Sequence, residues 1–434
     1  MKTPVVSKEY LIPFILVTSL FALWGFANDI TNPMVSAFKT LMEISNLEAS
    51  LVQFAFYGGY FTMAIPAALF IKKYSYKSGI ILGLALYAFG ALLFYPAAST
   101  ERFSLFLVSL YVLTFGLAFL ETTANPFILA MGDEATATRR LNLAQSFNPI
   151  GALLGQLAAI NFVLAYLQSA DTSIVFSELD PAIKAEMRTH DLMLIRDPYV
   201  ILGLFVAAMM VIFIFFKMPA KGDTDHTLDI KGSFKRLAGN SRYVFGVVAQ
   251  VFYVGAQIMC WTYVVQYGEN LGMTKAEAQG YNIIATSIFF GSRVISTFLL
   301  KYFSGARLLM LFAIGGMVTL AGTIFIGGNI GLYCLVGTSA FLSLMFPTIY
   351  GIALDGLGDD AKLGSAGLVM AIVGGAVMPV LQGVFLDIGG PDYDDIQILG
   401  VPEVNFSFIL PLLCLAIISV YGYKSQHFIK KTDN

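Results

Sequence analysis

Asp29, Glu121 and Arg293 are the only charged residues that fall clearly inside the long apolar segments of this 434-residue chain. A charge carried into hydrocarbon costs about 2.5–3.5 kcal/mol for Asp, Lys or Arg at a helix centre, so it is kept where something polar has to pass. Carboxyl groups held out of water take up a proton more readily, which suits them to proton exchange. Glu121 has the stronger claim to that chemistry, because it stands well inside the apolar segment 103–131 with Thr122, Thr123 and Asn125 beside it. Asp29 leaves two readings open. Pro33 cannot donate to the carbonyl four residues back, so an unwound turn at Asp29 would form a ligand site for a cation or hydroxyl. Alternatively, Asp29 reaches the outer interface. Arg293, in Gly291-Ser292-Arg293, reads as a gating or structural charge that pairs with a cytoplasmic acid such as Asp355 or snorkels toward the surface.

Amide stripes surround these charges. Trp24, Asn28 and Asn32 recur every four residues and share one helix face, and Asn142, Gln145, Asn148 and Gln156 follow helical spacing further on. Gln250, Gln257 and Trp261 form a third stripe with Tyr253 close to it. Amides both donate and accept, as do the hydroxyls of a neutral polyol, and aromatic rings pack against sugar faces. Amide bonds between helices are the competing use of any one of these residues.

Other chemistries find no support. The three histidines, His190, His226 and His427, fall in loops or tails, and Cys260, Cys334 and Cys414 show neither C-x-x-C nor metal-ligand spacing. No Ser/His/Asp set, HExxH, Walker A loop or GxSxG run is present, so an enzyme is not expected, and neither is a metal or cofactor. No basic stripe suggests nucleic acid.

The elements that must position these residues follow from composition. Hydrophobic residues make up 57% and charged residues 12% of the chain, against about 25% charged in soluble proteins; the mean hydropathy is +0.75. This is the signature of an integral, all-α membrane protein. A sliding window places twelve transmembrane helices near 10–38, 49–71, 79–97, 103–131, 141–168, 198–217, 243–268, 277–300, 307–327, 329–354, 363–388 and 405–423. The first run is longer than the core of a signal peptide, so it is expected to stay. The termini and even-numbered loops carry 19 Lys and Arg residues, the opposite loops six. The positive-inside rule therefore puts both termini in the cytoplasm.

Two hydrophilic stretches interrupt the pattern. Residues 169–197 should contain a short amphipathic helix after Pro181, and the charged residues 218–241 form a cytoplasmic linker. The expected organisation is an N-terminal six-helix bundle (1–217), that linker (218–241) and a C-terminal six-helix bundle (242–434). The halves echo each other: Trp24 and Trp261 stand 237 positions apart, and Asn125-Pro126-Phe127 is answered by Phe346-Pro347-Thr348. Two pseudo-symmetric bundles about a central site describe a transporter rather than a channel.

Five runs are more specific: Ala22-Leu23-Trp24, the stretch from Gln53 to Phe61, Leu120-Glu121-Thr122-Thr123-Ala124-Asn125-Pro126-Phe127, Arg140-Leu141-Asn142-Leu143-Ala144-Gln145-Ser146-Phe147-Asn148, and Tyr253-Val254-Gly255-Ala256-Gln257. Together they resemble the fucose–galactose–glucose branch of the major facilitator superfamily. The resemblance implies that fold and proton-driven import of a monosaccharide by alternating access, with L-fucose the first candidate. Glucose or galactose import, coupling to Na+ and, more remotely, drug/proton efflux remain open. The family's proton-exchanging glutamate falls on Glu121 and its fifth-helix asparagine on Asn148. Its first-helix acid falls on Asn32, with Asp29 one turn earlier. Expected partners are a sugar and the lipid bilayer, with the protein as a monomer in a bacterial inner membrane. Asn28, Asn32, Gln145, Asn148, Tyr253, Gln257 and Trp261 are the candidate sugar ligands, and Glu121 and Asp29 the coupling acids.

Overall fold

The computed structural model describes residues 4–44, 46–170, 179–219, 229–386 and 396–432, and the Asn32 side chain lies outside what is described. Among the described residues, twelve helices are long and apolar enough to cross a membrane. The first and second spans are the helices Leu11–Leu41 and Asn46–Lys73. Spans three to six run Tyr76–Thr100, Phe103–Ala130, Glu134–Val163 and Pro181–Phe215. The later six run Ser241–Asn270, Glu277–Leu299, Gly305–Phe325, Gly328–Leu354, Gly358–Leu386 and Glu403–Gln426. Only helices satisfy every backbone group within one segment, which is why apolar runs of this length adopt them in lipid.

The chain forms two compact units, one of Leu11–Phe127 with Ile150–Leu228, the other of Met1–Tyr10, Ile128–Pro149 and Asp229–Asn434. In the first, glycine lets backbones approach. A Cβ on Gly151 of the fifth span would lie 1.8 Å from the Ala22 carbonyl oxygen, and one on Gly155 would lie 2.6 Å from that of Phe26. This small-xxx-small stripe seats the fifth span on the first. Thr31 and Tyr199 share a 2.8 Å hydroxyl contact, and the Tyr199 ring stacks on Phe94 at 3.8 Å.

In the second unit the same device recurs. A Cβ on Gly374 of the eleventh span would lie 2.1 Å from the Val251 carbonyl oxygen of the seventh. The pairs 151/22 and 374/251 occupy corresponding places in the two halves of the sequence, so the internal repeat extends to backbone packing. Arg140, fully buried, donates to the carbonyls of Ile128 at 2.7 Å and Leu129 at 2.6 Å. Those carbonyls lie in the last turn of the fourth span, where helical donors run out; that of Ile128 also accepts from the Met131 N–H at 3.3 Å.

Several local expectations are corrected. The first span continues through Pro33 without an unwound turn. The residues after Pro181 do not form a separate short helix. Capped by Asp180, one helix runs from Pro181 to Phe215, because the polar residues 181–197 have good helix propensity and Pro is tolerated at its first turn. The fifth span is not one helix but Ala137–Gln145, Asn148–Ala158 and a π-helical turn Ala159–Val163. The tenth divides into Gly328–Leu342 and Met345–Leu354. The linker, expected only as a charged connector, contains the helix Ile230–Gly239.

Outside the spans, Glu43 accepts from Lys184 at 2.8 Å and Arg188 at 2.9 Å. The Lys184 hydrogen bond, then the charges of Lys184 and Arg188, hold its carboxyl below the usual range. A group depressed in the folded state stabilises above its unfolded value of about 4.3 and loses that contribution as pH falls through the folded one. Glu43→Gln is therefore expected to cost less than about 1 kcal/mol at pH 7, since the pair is partly exposed. In thermal melts of detergent-solubilised protein its difference from the unmodified chain should narrow below pH 4.

Gly151→Ala should lower the melting temperature well beyond Gly291→Ala, because the first pushes a methyl into backbone and the second meets nothing within 4 Å. Overpacking of this kind costs about 1–3 kcal/mol. Equal melting temperatures would remove close backbone approach as the reason for glycine at 151.

Candidate functional site

Proline decides where polar chemistry enters the spans. It lacks an N–H, so it leaves the carbonyl four residues earlier without its helical partner. In the fifth span Pro149 frees the carbonyl of Gln145, and in the tenth Pro347 frees that of Ser343. Arg293 takes both: its Nε donates to the Ser343 oxygen at 2.6 Å and its Nη1 to the Gln145 oxygen at 3.0 Å. The guanidinium also lies over the Phe289 ring at 4.5 Å. Its fixed fork of donors suits two divergent acceptors, which a lysine ammonium would not hold in the same geometry. The acid expected for Arg293 is not its partner. Asp355 pairs instead with Arg242 at 3.1 Å, because the local demand on Arg293 comes from freed carbonyls.

Around Arg293 the unit gathers several of the expected residues. Gln145 and Tyr253 are buried, and the Tyr253 hydroxyl lies within electrostatic reach of the guanidinium. Asn142 donates to the Thr138 carbonyl at 2.9 Å and to the Thr348 hydroxyl, one residue past Pro347, at 3.2 Å. Gln250 is fully buried, and both its amide atoms are without a partner among the described residues. Trp261 donates from its indole N–H to Ser339 at 3.2 Å and meets Phe289 edge-on. Gln257 and Asn148 are half-buried.

The other unit holds both acids. Seating Gly155 on Phe26 carries its neighbour Gln156 to Asp29, whose Oδ1 accepts from the Gln156 amide at 2.8 Å. Asp29 is thus held by the fifth-span stripe. Glu121 is 7% exposed, and its Oε2 has no hydrogen-bond partner among the described residues. The Asn125 amide donates to the backbone carbonyl of Glu121 at 3.0 Å. Trp24 is buried against Phe21, and Asn28 is half-buried.

Two residues of the run from Gln53 to Phe61 were not among the candidate site residues. Tyr57 lies within electrostatic reach of Asp29, and Tyr60 within that of Glu121 and of Tyr57. Their spacing of three on one apolar helix was the available signal, but it was hidden by Phe54, Phe56 and Phe61 around them. The two tyrosines place hydroxyl-bearing rings beside both carboxyl groups.

The chain matches the model of the Major Facilitator Superfamily over residues 16–382. It is 59% identical to the L-fucose-proton symporter of Haemophilus influenzae, over 99% of this chain and 100% of that one. It is 36% identical to the L-fucose-proton symporter of Escherichia coli, over 97% and 94% of the two chains. Its structure is similar to a crystal structure of the transporter FucP in an outward conformation, with a TM-score of 0.86, 34% identity and coverage of 96% and 99%.

If Arg293 serves the proline-freed carbonyls, its loss should matter less once a helical N–H is restored. Arg293→Ala is expected to lower thermal stability, and Pro149→Ala to recover part of that loss, with a coupling on the order of 1 kcal/mol. Strict additivity in the double variant would show that the Gln145 carbonyl is not what Arg293 serves.

Proposed function

Since the chain belongs to the major facilitator superfamily, we propose that it imports L-fucose together with a proton, by alternating access. The observation that carries the coupling is Glu121, a carboxyl deep in the fourth span with an oxygen that receives no hydrogen bond among the described residues. An ionised carboxylate without donors is costly in such a place, whereas the neutral acid is tolerated. Glu121 is therefore assigned to carry the proton. The sugar assignment draws on two relatives named as L-fucose-proton symporters, one of them 59% identical over nearly the whole chain.

In this reading Asn28, Asn32, Gln145, Asn148, Tyr253, Gln257 and Trp261 bind the sugar, with amides for its hydroxyls and rings for its apolar face. Asp29, which already accepts from Gln156, is the second acid of the pathway. Arg293 ties the fifth span to the tenth while the two are together. The bundles 1–217 and 242–434 move against each other about the linker 218–241. The excess of Lys and Arg in the termini and even-numbered loops supports cytoplasmic termini in a bacterial inner membrane. The protein acts as a monomer.

Addition of L-fucose to weakly buffered vesicles holding the protein should alkalinise the side from which sugar enters. Uptake that needs Na+ and leaves pH unchanged would overturn proton coupling. Competition of labelled L-fucose by a hexose panel checks the sugar. Glu121→Gln, which keeps the shape of the side chain but cannot titrate, should reduce uphill accumulation to the level of protein-free vesicles and leave sugar counterflow measurable. Accumulation against a gradient by that variant would pass the coupling role to another group, and Asp29→Asn would then be the variant to examine through the pH dependence of uptake.

A further inference from the structure

The linker helix Ile230–Gly239 is ten residues long, too short to be stable alone, and two features fix its place. Asp229 caps its start by accepting from Gly232 N–H at 3.0 Å. At its end, Asn240 closes it and caps the seventh span by accepting from the Tyr243 N–H at 3.1 Å. The helix therefore lies one residue from a membrane-spanning segment, beside the Lys- and Arg-rich ends of the spans. One side of it is docked. Ser233 and Leu237 are buried, Ser233 donates to Asp360 at 2.6 Å, and Arg236 grips the same carboxylate with Nε at 2.7 Å and Nη2 at 2.9 Å.

The remaining surface has two parts. Ile230 and Phe234, four residues apart and so on one face, are 36% and 47% exposed. Lys231 and Lys235, also four apart, stand next to them about 100° round the helix, exposed and without an ion pair among the described residues. An apolar strip bordered by lysines is the pattern of a helix lying in the plane of a membrane surface. Phe and Ile enter the boundary of the acyl chains, while the lysine stems reach back to the headgroups. The unpaired charges select the occupant. A second copy would present the same positive arc and repel it, whereas an anionic headgroup neutralises it.

We propose that the helix Ile230–Gly239 is a surface anchor that binds the anionic phospholipid face of the bilayer through Ile230, Phe234, Lys231 and Lys235. Because Asp360 holds the opposite side of the helix, the bound lipid and the start of the eleventh span are joined through it. This inference is independent of the transported sugar and of the coupling ion.

The test uses the full chain in vesicles, with Phe234→Cys carrying an environment-sensitive label in a Cys334→Ala background; Cys260 and Cys414 are buried. Glu134→Cys serves as the water-exposed control. In phosphatidylcholine vesicles containing phosphatidylglycerol, the label at 234 should be quenched by a nitroxide placed high on the acyl chain and protected from iodide. Replacing both lysines, Lys231→Gln with Lys235→Gln, should lower the ratio of lipid to iodide quenching by roughly fivefold or more. It should make that ratio the same with and without phosphatidylglycerol. Iodide quenching equal to that at the control position would overturn the proposal, because the helix would then stand in water. Nitroxide quenching indifferent to phosphatidylglycerol and to the lysines would overturn the anionic preference. Protection from both quenchers that disappears as protein is diluted in lipid would assign the face to a second copy instead.

Discussion

In hydrocarbon a backbone carbonyl that has lost its helical N–H has no water to turn to, and each such group costs several kcal/mol until another donor arrives. Prolines inside spans therefore create demands that side chains elsewhere must meet. Pro149 and Pro347 lie in different helices, yet the carbonyls they release are taken by one guanidinium, that of Arg293. This explains why a full positive charge is kept in the eighth span. It also explains why Arg rather than Lys stands there, since only a planar fork reaches two acceptors in fixed directions.

The second constraint is how closely backbones approach. Gly151 and Gly155 bring the fifth span against Ala22 and Phe26 of the first, and the adjoining Gln156 consequently reaches Asp29. Positioning of that carboxylate thus follows from the absence of two Cβ atoms. Gly374 repeats the contact against Val251. The repeat legible in Trp24 and Trp261 is in this sense a repeat of packing.

The membrane fold was readable because long apolar runs admit one solution, and Glu121 was readable because its depth in such a run is unmistakable. What could not be read were interactions whose cause lies on another segment. Asp355 was a reasonable partner for Arg293 by charge alone, but the freed carbonyls are visible only when three spans are seen together. The sixth span hid its extension because hydropathy marks where apolar sequence starts, not where helix starts. Ile230–Gly239 was obscured by its glycines and high charge, and it depends on Asp360, more than a hundred residues away. Tyr57 and Tyr60 were lost among neighbouring aromatics.

The two acids differ in a way that bears on the proposed division of labour. Asp29 is held by one amide hydrogen bond, from Gln156. Glu121 Oε2 receives none among the described residues, so its neutral form is the cheaper one. A carboxyl tied to an amide keeps a fixed direction toward its surroundings; in the proposed reading, one with an oxygen that no donor reaches holds a proton and releases it when its surroundings change. The one-turn displacement from the expected position at Asn32 to Asp29 then has a physical reading. It puts the first-span carboxylate within reach of Gln156, whose amide fixes its direction.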